Sequence, residues 1–202
     1  MRIGIEINGV LRNTIGKLEM VYKKYMMDKT DGIETEDTFV YDMILPVTNF
    51  DIKEHFKFKN DEELFSFLYE EFPMEIFGHA GSTETTTFND LNEIYFDFRD
   101  NNDIIIVSDE MGKSKPASLF FLSKFGCLIE KIKFYSNLTI NSMWDEIDVL
   151  LTSNPNLLLD YPKDKIVIKF NTEYNKDIKS DYEISSIKDL KNKLNKILSN
   201  DV

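Results

Sequence analysis

The run Ile104-Ile105-Ile106-Val107 constrains this chain more than any other stretch. Four consecutive β-branched residues with no polar alternation suit a strand covered on both faces, and such strands belong to parallel sheets flanked by helices. Similar short runs follow at Ile132–Tyr135, Val149–Leu151 and Ile166–Phe170, and one precedes it in the alternating Arg2–Ile7 segment. Between them lie helical patterns. Ile15, Leu18, Val21 or Tyr22 and Tyr25 recur at three-to-four spacing over Thr14–Met27, Leu64, Leu68 and Phe72 form a second stripe that begins at Asn60 and stops at Pro73, and a third helix is predicted around Asn89–Arg99. Pro116–Phe125 reads as a helix closed by Gly126, Met143–Ile147 as a connector, and Ile187, Leu190, Leu194, Ile197 and Leu198 as a C-terminal amphipathic helix. The alternation predicts an α/β fold with a doubly wound parallel sheet.

In such a sheet, ligands sit beyond the carboxyl ends of the strands. The chemistry-bearing residues fall at those ends. The first strand runs out through Glu6-Ile7-Asn8-Gly9-Val10-Leu11 with Asn13-Thr14 after it, the second ends in Val107-Ser108, Lys113 and Lys115 open the next helix, and a later strand ends in Asp148-Val149-Leu150-Leu151-Thr152-Ser153-Asn154-Pro155. In this order the segments resemble the haloacid dehalogenase (HAD) superfamily of phosphotransferases. The segment Lys169-Phe170-Asn171-Thr172-Glu173-Tyr174-Asn175-Lys176 is similar to the strand and Tyr-Asn-Arg turn of its C-type 5′-nucleotidase, or deoxyribonucleotidase, branch. The resemblance implies a HAD-like core over residues 1–13 and 100–202, with a helix and a small cap inserted over 14–99.

It also implies a set of site residues, and here the chain departs from the pattern. Active relatives carry an aspartate nucleophile and, two positions on, an aspartate that serves as general acid and base; those positions hold Glu6 and Asn8. The extra methylene of Glu6 displaces the attacking oxygen by roughly an ångström, and misplacement of that size costs about a hundredfold. An amide at Asn8 has no proton to exchange with a leaving alkoxide. Where the family offers acids to Mg²⁺, this chain has Thr152 and Ser153, so the metal position is reduced to Glu6, Thr152 and Ser153 and no cofactor is expected. Ser108, Lys113 and Lys115 remain compatible with phosphate, or equally with a strand end and a solvated helix start.

The expected function is therefore that of a catalytically degenerate, pseudophosphatase-like protein that works by binding or as a component of an assembly, with a protein partner or a nucleotide or phosphate ligand. The alternative is a Mg²⁺-dependent phosphatase for mononucleotides, with Asp109 or Glu110 recruited to the metal. Charge narrows the partners: 36 acidic against 24 basic residues give −12, which argues against generic nucleic-acid or anionic-membrane binding. A soluble, cytoplasmic protein is expected, and abundant Lys, Asn and Ile suit an AT-rich, possibly viral, source. The lone Cys127 is expected to be a buried structural thiol, and His55 and His79, without partners at ligand spacing, to be ordinary cap or surface residues. Phe65, Phe67, Phe72 and Phe77 are expected to form cap core.

Overall fold

The computed structural model describes residues 1–29, 52, 55–136 and 138–200; most of the irregular aromatic stretch Phe39–Phe58, for which the sequence supports either short strands or a loosely helical cap, and most of the polar break Lys29–Glu36 lie outside them. Six parallel strands form one sheet in the order β3-β2-β1-β4-β5-β6: β1 is Arg2–Glu6, β2 Asp103–Ser108, β3 Lys131–Phe134, β4 Val149–Thr152, β5 Ile166–Phe170 and β6 Tyr182–Ile184. The chain winds outward from β1 through β2 to β3, then returns to pair β4 on the other side of β1. The strand order thus reverses at β1, and the crevice beyond the β1 and β4 carboxyl ends is where such a sheet accepts ligands.

Side chains along each strand alternate between two cores. Ile104 and Ile106 of β2 join one cluster with Ile3, Ile5, Val149, Leu151 and Ile168, while Ile105 and Val107 face another with Leu150 and Val167. That period of two on a continuously apolar strand is the signature of a sheet covered on both faces. The first face is closed by α3 (Thr87–Phe98), through Phe88, Leu91 and Ile94, by Phe121 and Leu122 of α4 (Ser114–Lys124), and by Leu190, Leu194 and Ile197 of α7 (Leu190–Asn200). The second is closed by Met143 and Trp144 of α5 (Ile140–Glu146) and Leu157 and Leu158 of α6 (Pro155–Leu159). Gly4 permits this second layer to approach, since a Cβ there would lie 2.7 Å from Ile147 Cδ1.

Three elements differ from the sequence reading. The expected connector at Met143–Ile147 is helix α5, too short to show a stripe but held by the buried side chains of Met143 and Trp144. Asn154-Pro155 starts α6, with the Asn154 side chain accepting from the Asn156 N–H at 2.9 Å and Pro155 in the first turn. Strand β6, only three residues long, is an edge strand that its sequence does not announce. Cys127 is half-buried against the first core, and burial pushes its thiol above the usual range.

The insertion after β1 has its own core. Helix α1 (Thr14–Lys29) presents Leu18, Val21 and Tyr22 to Phe56, Leu64, Phe67, Ile76 and Phe77, with Phe72 packed alongside and Phe65 half-exposed. Helix α2 (Asp61–Ser66) begins at Asn60, whose side chain accepts from the Glu63 N–H at 2.8 Å, and continues through wide π-type turns at Phe67–Glu71 and Met74–Gly78. His55 is buried and His79 is exposed with its ring against Phe120. Helix α3, although within the same sequence range, packs on the sheet.

Between β1 and α1 the chain makes one tight turn in which the Leu11 and Arg12 N–H groups both donate to the Ile7 carbonyl. Gly9 occupies that turn at φ +72°, and a Cβ there would fall 2.1 Å from Tyr174 Oη and 2.2 Å from Ser153 Oγ. Gly9→Ala combines left-handed strain with overlap against two ordered hydroxyls. It is expected to lower stability by about 2 kcal/mol or more, read as a drop in the urea midpoint at unchanged slope.

Candidate functional site

Glu6 ends β1 almost fully buried, and every hydrogen-bonding position around it is a hydroxyl or a backbone amide. Tyr135, just past β3, meets Oε1 at 2.9 Å, and the Thr152 hydroxyl at the end of β4 meets Oε2. Burial pushes the Glu6 carboxyl up to about 8; the Asp109 charge adds to the rise, and hydrogen bonds from Thr152, Tyr135 and the Ser153 N–H oppose it. At neutral pH the group is mostly a neutral acid. Hydroxyls suit either state, because they can donate to a carboxylate or accept from a carboxylic acid.

Asn8 is held by four bonds, the full capacity of an amide side chain. Its Nδ2 donates to Asp109 Oδ1 at 3.0 Å and to Glu110 Oε1 at 3.3 Å, while its Oδ1 accepts from Arg12 Nη2 at 2.6 Å and Thr14 Oγ1 at 2.7 Å. Its backbone carbonyl accepts from Ser153 Oγ at 3.0 Å, and Tyr174 Oη donates to that same Ser153 oxygen at 2.9 Å. Asn175 completes this side by donating to the Ser153 and Phe170 carbonyls, both at 2.9 Å. The Tyr174-Asn175 pair, singled out by the sequence, thus braces the turn that carries Thr152 and Ser153.

The sequence reading did not single out Arg12, which holds the centre. It is fully buried and uses all five N–H donors: Nε to Thr14 Oγ1, Nη1 to the Phe77 carbonyl and Ser118 Oγ, and Nη2 to Asn8 and Glu110. Phe77 and Phe121 place their rings 5.0 and 5.2 Å from the guanidinium carbon. Burial pulls Arg12 down to about 9 while the Asp109 charge pulls it back up, so it stays charged at neutral pH. No motif marks such a residue. The available signal was an arginine two residues before a helix, inside a mostly apolar segment.

The phosphate-compatible residues do not converge here. Ser108 is buried at the end of β2 with an Oγ that has no hydrogen-bond partner among the described residues, and it does not line the cavity at the strand ends. Lys113 pairs with Glu70 at 2.8 Å on the surface, and Lys115 lies 5.5 Å from the Phe134 ring centre. The cavity itself, about 270 Å³, is lined by Glu6, Asn8, Asp109, Glu110, Ser153 and Tyr174 on its polar side and by Ile15, Leu18, Leu68, Tyr69 and Phe77 on the other. Among the described residues, no Lys, Arg or His lines it.

The residues at the implied metal position, Glu6, Thr152 and Ser153, are engaged elsewhere and do not by themselves offer Mg²⁺ the one or two free carboxylates it takes among near-octahedral oxygens. Both Glu6 oxygens meet hydroxyls, the Thr152 hydroxyl also accepts from the Asn154 N–H, Ser153 is taken by Asn8 and Tyr174, and Glu110 answers Arg12. Among the described residues no three His, Cys, Asp or Glu side chains group to hold a metal. A phosphate fares no better without one. It carries about −1.5 to −2 at pH 7, and each unit of like charge about 5 Å away costs roughly 3 kcal/mol at an effective dielectric of 20.

The fold is that of HAD-like hydrolases. A haloacid dehalogenase-like hydrolase from Burkholderia xenovorans superposes with a TM-score of 0.62 at 11% identity, over 98% of this chain and 97% of the other. A haloacid dehalogenase-like family hydrolase from Streptococcus pneumoniae gives 0.54 at 10% identity, over 100% and 98%. At such identities the likeness is one of fold. No protein-family model and no curated protein matches the sequence.

Two outcomes follow from this geometry. Arg12→Met strands the Glu110 carboxylate in the interior and is expected to cost about 3–5 kcal/mol, whereas Arg12→Met with Glu110→Leu removes both charges and is expected to recover much of that loss, a coupling measurable by a double-mutant cycle in urea. Glu6 binds a proton more tightly in the fold than in the unfolded chain, whose ordinary value is 4.5, so the native state holds the extra proton between pH 4.5 and about 8. Its contribution to stability is therefore present at low pH and is lost as pH rises through that window. Glu6→Gln, which keeps a donor and an acceptor for Thr152 and Tyr135, is expected to flatten that part of the pH–stability curve.

Proposed function

We propose that this chain is a HAD-like domain that acts by binding, to a ligand or within a protein assembly, and does not turn over phosphomonoesters. The observation that carries this reading is the state of Asn8. At the position where acid–base catalysis is expected, an uncharged amide has its four hydrogen-bonding positions engaged by Asp109, Glu110, Arg12 and Thr14. A group so held neither carries a proton nor turns toward a leaving oxygen. The neutralised Glu6 beside it is a poor nucleophile for the same reason that it is stable there: burial favours the uncharged acid.

The finer likeness to the C-type 5′-nucleotidase branch belongs to this proposal. It rests on Tyr174 and Asn175, which reach back to Ser153.

A rebuilt phosphatase remains the competing reading, and one observation favours it. Asp109 is half-buried on the cavity wall, 3.0 Å from the Asn8 amide, where a substitute acid would stand. Release of phosphate from ribo- and deoxyribonucleoside monophosphates, with and without Mg²⁺, separates the two. The expected outcome is a rate indistinguishable from that of Glu6→Ala under both conditions. Mg²⁺-dependent turnover that disappears in Glu6→Ala would establish the phosphatase instead.

A further inference from the structure

The inserted segment leaves the core after Leu11 and returns to it before α3, by two chain crossings that lie side by side. The Asn13 N–H donates to the Gly81 carbonyl at 2.9 Å, and the Thr83 N–H donates to the Leu11 carbonyl at 3.1 Å. A unit joined in this way can swing about its crossings, provided that little else ties it to the body. Here two further ties are buried.

The first is Arg12, which stands in the outgoing crossing and bonds to both bodies. Its Nη1 donates to the Phe77 carbonyl of the insertion at 3.0 Å and to Ser118 Oγ of α4 at 2.6 Å, while Nη2 meets Glu110 in the loop after β2. The Arg12 and Glu110 side chains are exposed by 0% and 1%. Swinging the insertion outward takes the Phe77 carbonyl and the Phe77 ring from the guanidinium together, and it lets water reach a buried ion pair. Disrupting such a pair is strongly unfavourable.

The second tie is a shared core. Ala117 belongs to α4 yet packs in the insertion's own cluster with Leu18, Phe67, Ile76 and Phe77. Gly78 brings the Met74–Gly78 turn onto that helix, since a Cβ there would lie 3.3 Å from Phe120 Cδ1 and 3.4 Å from the Ala117 carbonyl. Contacts run the length of α4. Lys113 pairs with Glu70 before its first turn, the His79 ring meets Phe120, and Lys124 in its last turn donates to the Ala80 carbonyl at 3.2 Å. The exposed pairs are individually weak. A contact as long as the helix, however, cannot be parted by a rotation at one end without tearing the packing between them.

From this geometry we infer that the insertion is latched: Arg12, Glu110 and α4 hold it so that it opens only with unfolding of the sheet, and not by swinging about its crossings. The inference goes beyond the binding reading and holds for either outcome of the phosphate-release assay. Because Leu18, Leu68, Tyr69 and Phe77 come from the insertion, the latch keeps that wall of the cavity in place.

Native-state hydrogen exchange in sub-denaturing urea tests it. The Phe72, Ile76 and His79 amides, bonded within the insertion to the Phe67, Phe72 and Met74 carbonyls, report on the cap, and the Ile7 amide, bonded to the Val107 carbonyl, reports on the sheet. The two groups are expected to converge on one opening equilibrium with the same urea dependence. In Arg12→Met with Glu110→Leu, the cap amides are expected to exchange roughly tenfold or more faster than the sheet amide, with a shallower urea dependence. Should that variant fail to fold, Ser118→Ala, which keeps both charges and removes one bond of the latch, is expected to shift the cap amides in the same direction. A native protein whose cap amides already exchange through a separate opening of shallow urea dependence would overturn the inference. So would a folded double variant, or in its place Ser118→Ala, in which cap and sheet amides still exchange together.

Discussion

A guanidinium buried to zero exposure is the constraint around which the rest of the site is arranged. Moving an ion of that size from water into a dry interior costs on the order of 20 kcal/mol in the idealised limit, and several after relaxation. Arg12 is tolerable only because five donors meet five acceptors and two aromatic rings lie against its face. Those partners come from the turn after β1, the π-type turn at Phe77, the loop after β2 and helix α4. Satisfying one charge therefore fixes the inserted segment against the sheet, and it also places Asn8 and Glu110. The hairpin-like bonds from Asn13 to Gly81 and from Thr83 to Leu11 hold the same junction from the backbone side.

The residues at the strand ends form a consistent set under that constraint. A glutamate at position 6 reaches the Thr152 and Tyr135 hydroxyls, and an aspartate in place of Thr152 would set a second carboxylate against a buried acid. Ser153 is small enough to donate to the Asn8 carbonyl beneath Tyr174, where Gly9 leaves no room for a Cβ. Each departure from the phosphatase pattern is thus supported by its neighbours. Several replacements that fit one another imply a site stable in its altered form.

Much of the fold was legible because its signals are periodic. The β-branched run at 104–107, the stripe Ile187-Leu190-Leu194-Ile197 and the Asn60 cap all depend on spacing that survives without tertiary context. Helix α5 and strand β6 were not legible: seven and three residues carry too little repetition to outweigh local composition, and packing decides them. The same division holds in the site. Glu6, Asn8, Thr152 and Ser153 could be placed together because each ends or follows a strand whose direction was predictable. Arg12 could not, because what matters about it is a long-range choice among Glu110, Ser118 and Phe77 that no spacing encodes. Lys113 and Lys115 illustrate the converse, since a helix start places their backbones near the strand ends while Glu70 and Phe134 take their side chains away.

Charge then links the engaged carboxylates to the outward-turned lysines. A phosphate dianion in a site with acidic walls is tolerable only when a divalent cation or several basic groups offset both the walls and the ligand. Here the walls keep Asp109 and Glu110, the buried Arg12 is committed behind them, and the lysines of the following helix are turned outward. Restoring aspartate at position 8 alone would set a third carboxylate beside Asp109 and Glu110 without supplying the metal that would reconcile them. Restoring an acid at position 152 alone would confront it with Glu6. Each single step toward a phosphatase site raises like-charge repulsion before any gain in catalysis. The altered arrangement is in that sense self-locking.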